Sequence, residues 1–298
     1  MLYVTHLSKL IEIFCSCDDF CLMIKEIQRK QLPECSWVKP TRQPELTESE
    51  MMSIVIFYHL SGFKCFEYYY RQLIMGPLHS CFPKAVSYER FVALMPRCIP
   101  LLCLYVWLWR CGRQTGLYYA DSKKLPVCDN RRIHQNKVFD GWASRGKSST
   151  GWFHGFKLFL VINQFGEIMC CRLTWASKAD NNYDWLLKLF KGQKGKVFTD
   201  KGFISSKAFE RLFQDGLKLI TGIRSNMKNK LMDIEEKLLH RKRGVIESIN
   251  DILMTVCDID HTRHRSPLNF IVNVFAGVAA YTFLDKLPNI FTRKFALG

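Results

Sequence analysis

Acid is scarce in this chain. Asp and Glu number 27 against 43 Lys and Arg, a formal charge of +16 over 298 residues. A deficit of that size calls for a polyanionic partner, most simply nucleic acid, or else a membrane surface. CxxC pairs are also missing. The 13 cysteines are scattered, and the tightest group, Cys15, Cys17 and Cys21 with Cys35 further on, lacks zinc-finger spacing. Two apolar stretches could be mistaken for membrane spans. Cys98 to Trp109 covers 12 residues and contains Pro100, too short for a bilayer. Leu268 to Leu284 is longer, but Asn269, Asn273, Gly277 and Tyr281 recur every fourth residue. That spacing predicts a helix packed under a sheet. With no signal-peptide pattern and an odd cysteine count, free thiols in a reducing cytoplasm are expected.

What is present fits a folded protein of about two domains. Hydrophobic residues make up 48%, enough for a sizeable core, which excludes a disordered chain. Charge divides the chain: residues 1–103 carry 11 basic and 10 acidic side chains, residues 104–298 carry 32 and 17. The anion is therefore expected to meet the second part.

Residues 1–103 predict a helical domain. Residues 7–28 have helical apolar spacing, and a proline-bearing connector runs from Pro33 to Pro44. Thr47 and Glu50 form a capping-box pattern before Met51 to Leu60. Cys65 to Met75 suits a further helix, and Ser87 caps one running through Met95. Such a domain suits dimerisation or DNA-end binding.

Residues 104–298 change texture. Strands are predicted at Leu117 to Asp121, Phe156 to Ile162, Glu167 to Thr174, Lys196 to Thr199 and Leu217 to Ile223, the second and third forming a hairpin. Helices are predicted at Trp185 to Phe190, Ser205 to Gln214 and Met232 to Thr255, giving an α/β sandwich with a mixed sheet flanked by helices.

Three acids stand out. Asp121 closes the first of these strands, Asp200 closes the fourth, and Glu247 lies in the late helix. If the first and fourth strands are neighbours, their terminal aspartates meet. Singly, an Asp at a strand end is often a turn former and a mid-helix Glu is usually solvated. Gathered together in a basic domain, they make sense with Mg²⁺ or Mn²⁺ between them. Asp251 competes, four residues after Glu247; Glu235, Glu236, Asp129, Asp140 and Asp184 suit ion pairs, caps or solvent. Trp152 and Trp175 suit the core, as do Tyr118 and Tyr119.

Arg131 to Lys147 carries Arg131, Arg132, Lys137, Arg145 and Lys147 against one acid, Asp140, with His134, Phe139 and Trp142 interleaved. Cations grip phosphates while aromatics stack on an unpaired base. A second basic stretch has Arg224, Lys228, Lys230, Lys237, Arg241, Lys242 and Arg243 against three acids.

These motifs carry a resemblance. Asp121-Ser122-Lys123, Cys128 to His134, Gly151 to Lys157, Thr199-Asp200-Lys201-Gly202-Phe203, Arg241 to Glu247 and His261 to Pro267 occur in that order. Together they resemble a bacterial insertion-sequence transposase of the DDE superfamily, most like the insertion-sequence 982 family. The resemblance implies an RNase H-like catalytic domain over 104–298, with a C-terminal packing helix, behind the helical domain of 1–103. It makes Asp121, Asp200 and Glu247 the catalytic, metal-binding acids, holding two Mg²⁺ or Mn²⁺ ions. Arg131, Arg132, His134, Lys137, Arg145, Lys147, Lys201, Arg241, Lys242 and Arg243 are the implied DNA contacts. The implied activity is strand cleavage at the element's terminal inverted repeats and transfer into target double-stranded DNA, by a homodimer or larger complex in the bacterial cytoplasm, near the nucleoid, without a membrane.

Two positions depart from the signature. Met254 stands seven residues after Glu247, where a Lys is common, and His240 stands three before Arg243, where a Tyr is common. These keep open a catalytically impaired DNA-binding remnant. A nuclease of the same fold without strand transfer is the other alternative.

Overall fold

A computed structural model describes residues 2–31, 44–148, 151–222, 233–260 and 264–291. The Pro33 to Pro44 connector up to residue 43, with Cys35, and Arg224, Lys228, Lys230 and His261 to Arg263 lie outside the described residues. In chain order the helices are α1 (Leu2–Gln31), α2 (Glu48–Tyr58), α3 (Phe66–Tyr69), α4 (Tyr88–Leu94), α5 (Ile99–Leu104), α6 (Tyr183–Leu189), α7 (Ser206–Gln214), α8 (Ile234–Arg241), α9 (Gly244–Thr255) and α10 (Pro267–Tyr281). The strands are β1 (Leu117–Cys128), β2 (Ser144–Ser148), β3 (Gly151–Asn163), β4 (Ile168–Trp175), β5 (Gly195–Thr199) and β6 (Leu217–Thr221). The chain divides into two units. One holds Met1–Trp109, Thr255–Ile259 and Arg265–Phe283; the other holds Arg110–Met254, Asp260–His264 and Leu284–Gly298.

The first unit is helical. On α1, the buried residues Leu10, Ile13, Cys17, Phe20 and Cys21 make a single stripe facing α2. Thr47 starts α2 with a closed capping box: the Glu50 amide donates to Thr47 Oγ1 at 3.1 Å, and the Thr47 amide donates to Glu50 Oε2 at 2.7 Å. Met51 through Tyr58 are all buried, so α2 is the centre of this unit. The Ser87 hydroxyl caps α4. From Tyr88 to Trp109 the chain stays helical through a 3₁₀ turn and a terminal π turn. This 22-residue run is long and apolar enough to cross a membrane by length and composition. Prolines 96 and 100 pass where a turn changes pitch. The buried residues Phe91, Met95, Cys98, Leu102 and Tyr105 recur at alternating four- and three-residue spacing, the stripe of a helix packed on others.

Helix α10 corrects one expectation. It packs on α2 and α5, within the helical unit, where its spacing predicted packing on a sheet. Val272 and the whole run Val274 through Tyr281 are buried, so α10 is covered nearly all round. The small residue Gly277 is what admits it: a Cβ there would lie 2.2 Å from Ile259. His59, on the same contact, is buried and bonds through Nδ1 to the Cys257 carbonyl.

The second unit is built on one mixed sheet in the order β2-β3-β1-β5-β6, with β4 also on β3. β1 and β3 are antiparallel, whereas β1, β5 and β6 are parallel. The β3–β4 hairpin turns at Asn163, whose Oδ1 accepts from the amides of Phe165 and Glu167, both at 3.0 Å. Gly166 follows at φ +79°, a conformation that glycine adopts without cost. Tyr118, Ala120, Phe159, Val161 and Val197 line one sheet face, packed with Leu186 and Leu189 of α6 and Ala208 and Leu212 of α7. Toward the other face lie α8 and α9: the Tyr119 hydroxyl donates to the Leu239 carbonyl at 3.2 Å. Glu236 of α8 is buried and clamped by Lys218 of β6 (2.6 Å) and Lys196 of β5 (3.3 Å).

Three local expectations are revised. β1 runs on to Cys128 instead of stopping at Asp121. The single late helix is two, α8 and α9, with the break at Lys242-Arg243 ahead of Gly244. Trp152 and Trp175 are exposed, at 55% and 61%, instead of core.

Candidate active site

Parallel pairing brings Asp121 and Asp200 together. β1 and β5 register Tyr118 with Val197 and Tyr119 with Phe198, so two residues further along lie Asp121 and Asp200. Because side chains alternate along a strand, Asp121 shares the face of Tyr119, toward α8 and α9. There Asn250 of α9, itself buried, donates its amide to Asp121 Oδ2 at 2.9 Å. Glu247 sits three residues earlier, one turn back on the same side of the helix.

Each acid is held by a different donor. Asp200 opens the short turn Lys201–Phe203, its Oδ1 accepting from the Gly202 amide at 2.9 Å. Glu247 accepts from Arg243 at 2.8 Å, an i,i+4 pair that is half open to solvent. Burial pushes the Asp121 carboxyl up from 3.8 to about 6. The nearby Arg243 guanidinium opposes this rise, whereas the Asp200 and Glu247 charges add to it. The three acids therefore share one electrostatic neighbourhood.

That donor set, all carboxylate oxygens with one desolvated and pressed by like charge, suits a hard divalent cation. Among the described residues, no group of three or more His, Cys, Asp or Glu stands at ligand spacing. Glu247 is turned to Arg243 instead.

Three of the competing acids have other roles. Asp251 is exposed and pairs with Lys123 at 3.5 Å. Asp129 caps the 3₁₀ turn Asn130–Gln135, and Asp184 lies in the first turn of α6. His240 packs its ring on Phe198, and its Nε2 is buried without a hydrogen-bond partner. Burial, reinforced by Arg243, holds its pKa below the ordinary histidine value.

Two groups beside the site carried little sequence signal. Asn250 falls in the buried stripe Ile246, Ile249, Asn250 and Leu253; a polar residue in an apolar stripe is the clue that could have found it. Asp180 lies in the loop after β4, where nothing in the sequence separates it from Asp184. Its Oδ1 pairs with the buried Lys157 at 2.8 Å, and its Oδ2 accepts from Ser122 at 3.1 Å.

The cations predicted to hold DNA fall in four places. Arg131, Arg132, His134 and Lys137 are exposed on two 3₁₀ turns, Asn130–Gln135 and Lys137–Phe139. Arg145 and Lys147 project from β2 over Trp152 of β3, 5.7 and 5.9 Å from the ring centroid. Asn130 donates to the Trp152 backbone carbonyl at 2.7 Å, tying the first turn to β3. Trp142 is also exposed, whereas Phe139 is buried against Phe156, so it is not free for stacking. Lys201 follows Asp200 and is exposed. Arg241 and Lys242 line a cavity of about 330 Å³ with Gly244, Ser248 and Asn289, while Arg243 turns to Glu247.

The pattern of one family, described as a transposase DDE domain, matches residues 111–267, more than half the chain. No curated protein matches the chain.

Proposed function

The chain belongs to the DDE transposase domain family, an enzyme class acting on DNA, and from that membership we propose its reaction, site and partners. Asp121, Asp200 and Glu247 are the catalytic and metal-binding acids of an RNase H-like domain. The reaction is cleavage at the terminal inverted repeats of an insertion sequence resembling the 982 family, followed by strand transfer into target duplex DNA. The active form is a homodimer or larger, in the bacterial cytoplasm. The observation that carries this reading is the β1–β5 register, which places Asp121 and Asp200 side by side with α9 across them.

Asp121, Asp200 and Glu247 would hold two Mg²⁺ or Mn²⁺ ions, whose positive charge would make an attacking water or the DNA's own 3′-OH more acidic and offset the charge on the departing 3′ oxygen. The chain does the rest. Asn250 fixes the orientation of Asp121, and the Gly202 amide fixes Asp200. Arg243 holds Glu247 in reserve and is placed to take a phosphate when Glu247 turns to its ligand role. Arg131, Arg132, His134, Lys137, Arg145, Lys147, Lys201, Arg241 and Lys242 grip the DNA backbone, while exposed Trp152 offers a face to a base. No covalent protein–DNA intermediate is required; Tyr118 and Tyr119 are buried in the strand.

The test uses purified protein, Mg²⁺ and a labelled duplex bearing the element's end, with Asp200→Asn as control. Nicks leaving a 3′-OH at the boundary, and joined product, are expected from the wild type and not from the control. Specific binding without cleavage would overturn the catalytic assignment in favour of a remnant, with Met254→Lys the next variant to assay. Cleavage without joining, indifferent to end sequence, would favour a nuclease.

A further inference from the structure

Ser122 follows Asp121 on β1 and points to the opposite sheet face, its strand partner being the core residue Phe159. Lys157, two residues before Phe159 on β3, shares that face. Its side chain is only 10% exposed, an unusual place for an ammonium group unless it is paired. Its Nζ donates to Asp180 Oδ1 at 2.8 Å and to the Lys178 carbonyl at 3.0 Å. Asp180 Oδ2 in turn accepts from Ser122. A fourth carboxylate is thus fixed behind the strand that carries Asp121.

That carboxylate reaches the turn bearing Asp200. A Cβ built on Gly202 would lie 3.0 Å from Asp200 Oδ1 and 3.4 Å from Asp180 Oδ2. Two acids therefore converge on one glycine, where an added Cβ would crowd the Asp200 carboxylate and touch that of Asp180. Bare, Asp180 would add a full negative charge beside Asp200; paired with Lys157, the couple is close to neutral while still bracing the turn.

We propose that Lys157 and Asp180 form a charge-balancing couple that sets the cation affinity of Asp200 through the Lys201–Phe203 turn. The couple touches no reacting atom, so both are positioning residues. The proposal rests on the cation reading of Asp200 given above. It assigns a role to a buried ion pair that would otherwise be mere packing. A packing role and a charge-balancing role differ in one respect. Loss of either partner loosens a packed pair in the same direction, whereas charge balance moves cation affinity in opposite directions.

The experiment titrates the full-length apoprotein with Mn²⁺ alone by calorimetry, with thermal melts reporting the fold. Lys157→Met leaves Asp180 uncompensated and is expected to tighten Mn²⁺ binding about tenfold. Asp180→Asn leaves Lys157 uncompensated and is expected to weaken it by about the same factor. The double variant Lys157→Met/Asp180→Asn should return to within about twofold of wild type, and if Lys157→Met alone does not fold, its recovery of affinity over Asp180→Asn carries the test. Single variants that both weaken binding, or that leave it unchanged, overturn the proposal. Asp200→Asn separates the two levels of inference. If it abolishes Mn²⁺ binding while the charge variants move together, only the couple's role falls. If the wild type binds no Mn²⁺, or Asp200→Asn binds as well as wild type, the cation reading falls and takes this proposal with it.

Discussion

Replacing Asp121 with Asn should stabilise the metal-free protein at neutral pH. The carboxyl is held at about 6 against an ordinary 3.8, chiefly by burial and secondarily by Asp200 and Glu247. A raised acid binds its proton more tightly in the folded state, so ionising it at neutral pH costs folding free energy. At about 1.4 kcal/mol per pH unit, the cost approaches roughly 3 kcal/mol above pH 6. It declines as pH falls through 6 and is gone below about 3.8, where both states are protonated. Asn removes the charge yet keeps a carbonyl oxygen for the Asn250 amide. In a unit of this size, a gain of that order raises Tm by roughly 6–12 °C. Melting curves of both proteins from about pH 4 to 8, with and without Mg²⁺, provide the check. The variant's advantage should be largest at high pH without Mg²⁺, vanish toward pH 4 and shrink when Mg²⁺ stabilises the wild type alone. A variant no more stable than wild type at neutral pH, or one equally favoured at pH 4, would refute the reasoning.

Two further outcomes follow from other parts of the chain. Burial holds His59 at about 4, below its ordinary 6.5, so the unfolded state takes up a proton that the fold refuses. Stability should therefore fall as pH drops from about 6.5 to 4, by up to about 3 kcal/mol, and urea titrations of His59→Gln should show that slope flattened. Trp152→Ala removes an exposed ring, so Tm should hold while affinity for an element end with unpaired bases drops at least about fivefold in an anisotropy titration. Equal affinity on such DNA would remove Trp152 from the interface.

Much of the sheet unit is legible in its sequence because apolar residues and turn residues mark β3, β4, β5 and β6 locally. β1 is legible only to Asp121, since Lys123, Lys124 and Pro126 interrupt the apolar run and the pairing with β3 carries the strand onward. β2, Ser-Arg-Gly-Lys-Ser, has no apolar alternation at all and exists because β3 offers it an edge. The break between α8 and α9 had a signal, Gly244, outweighed by the helical spacing on either side. Asp121 and Asp200 could be paired from strand order, whereas Lys157 and Asp180 meet only through tertiary contact. The exposure of Trp152 was equally hidden: a tryptophan on a strand suits a core until the neighbouring strand proves to be one of cations.

The path of the chain through its two units has a consequence for biosynthesis. Residues 1–109 emerge first from a ribosome, yet α10, which covers α2 and α5, comes only with residues 265–283. All six strands are translated in the interval. The helical unit must therefore wait, with the apolar surface of α2 uncovered, until the sheet has been made. A message cut short before α10 would yield a sheet unit attached to helices that cannot close, a product for proteases rather than for DNA.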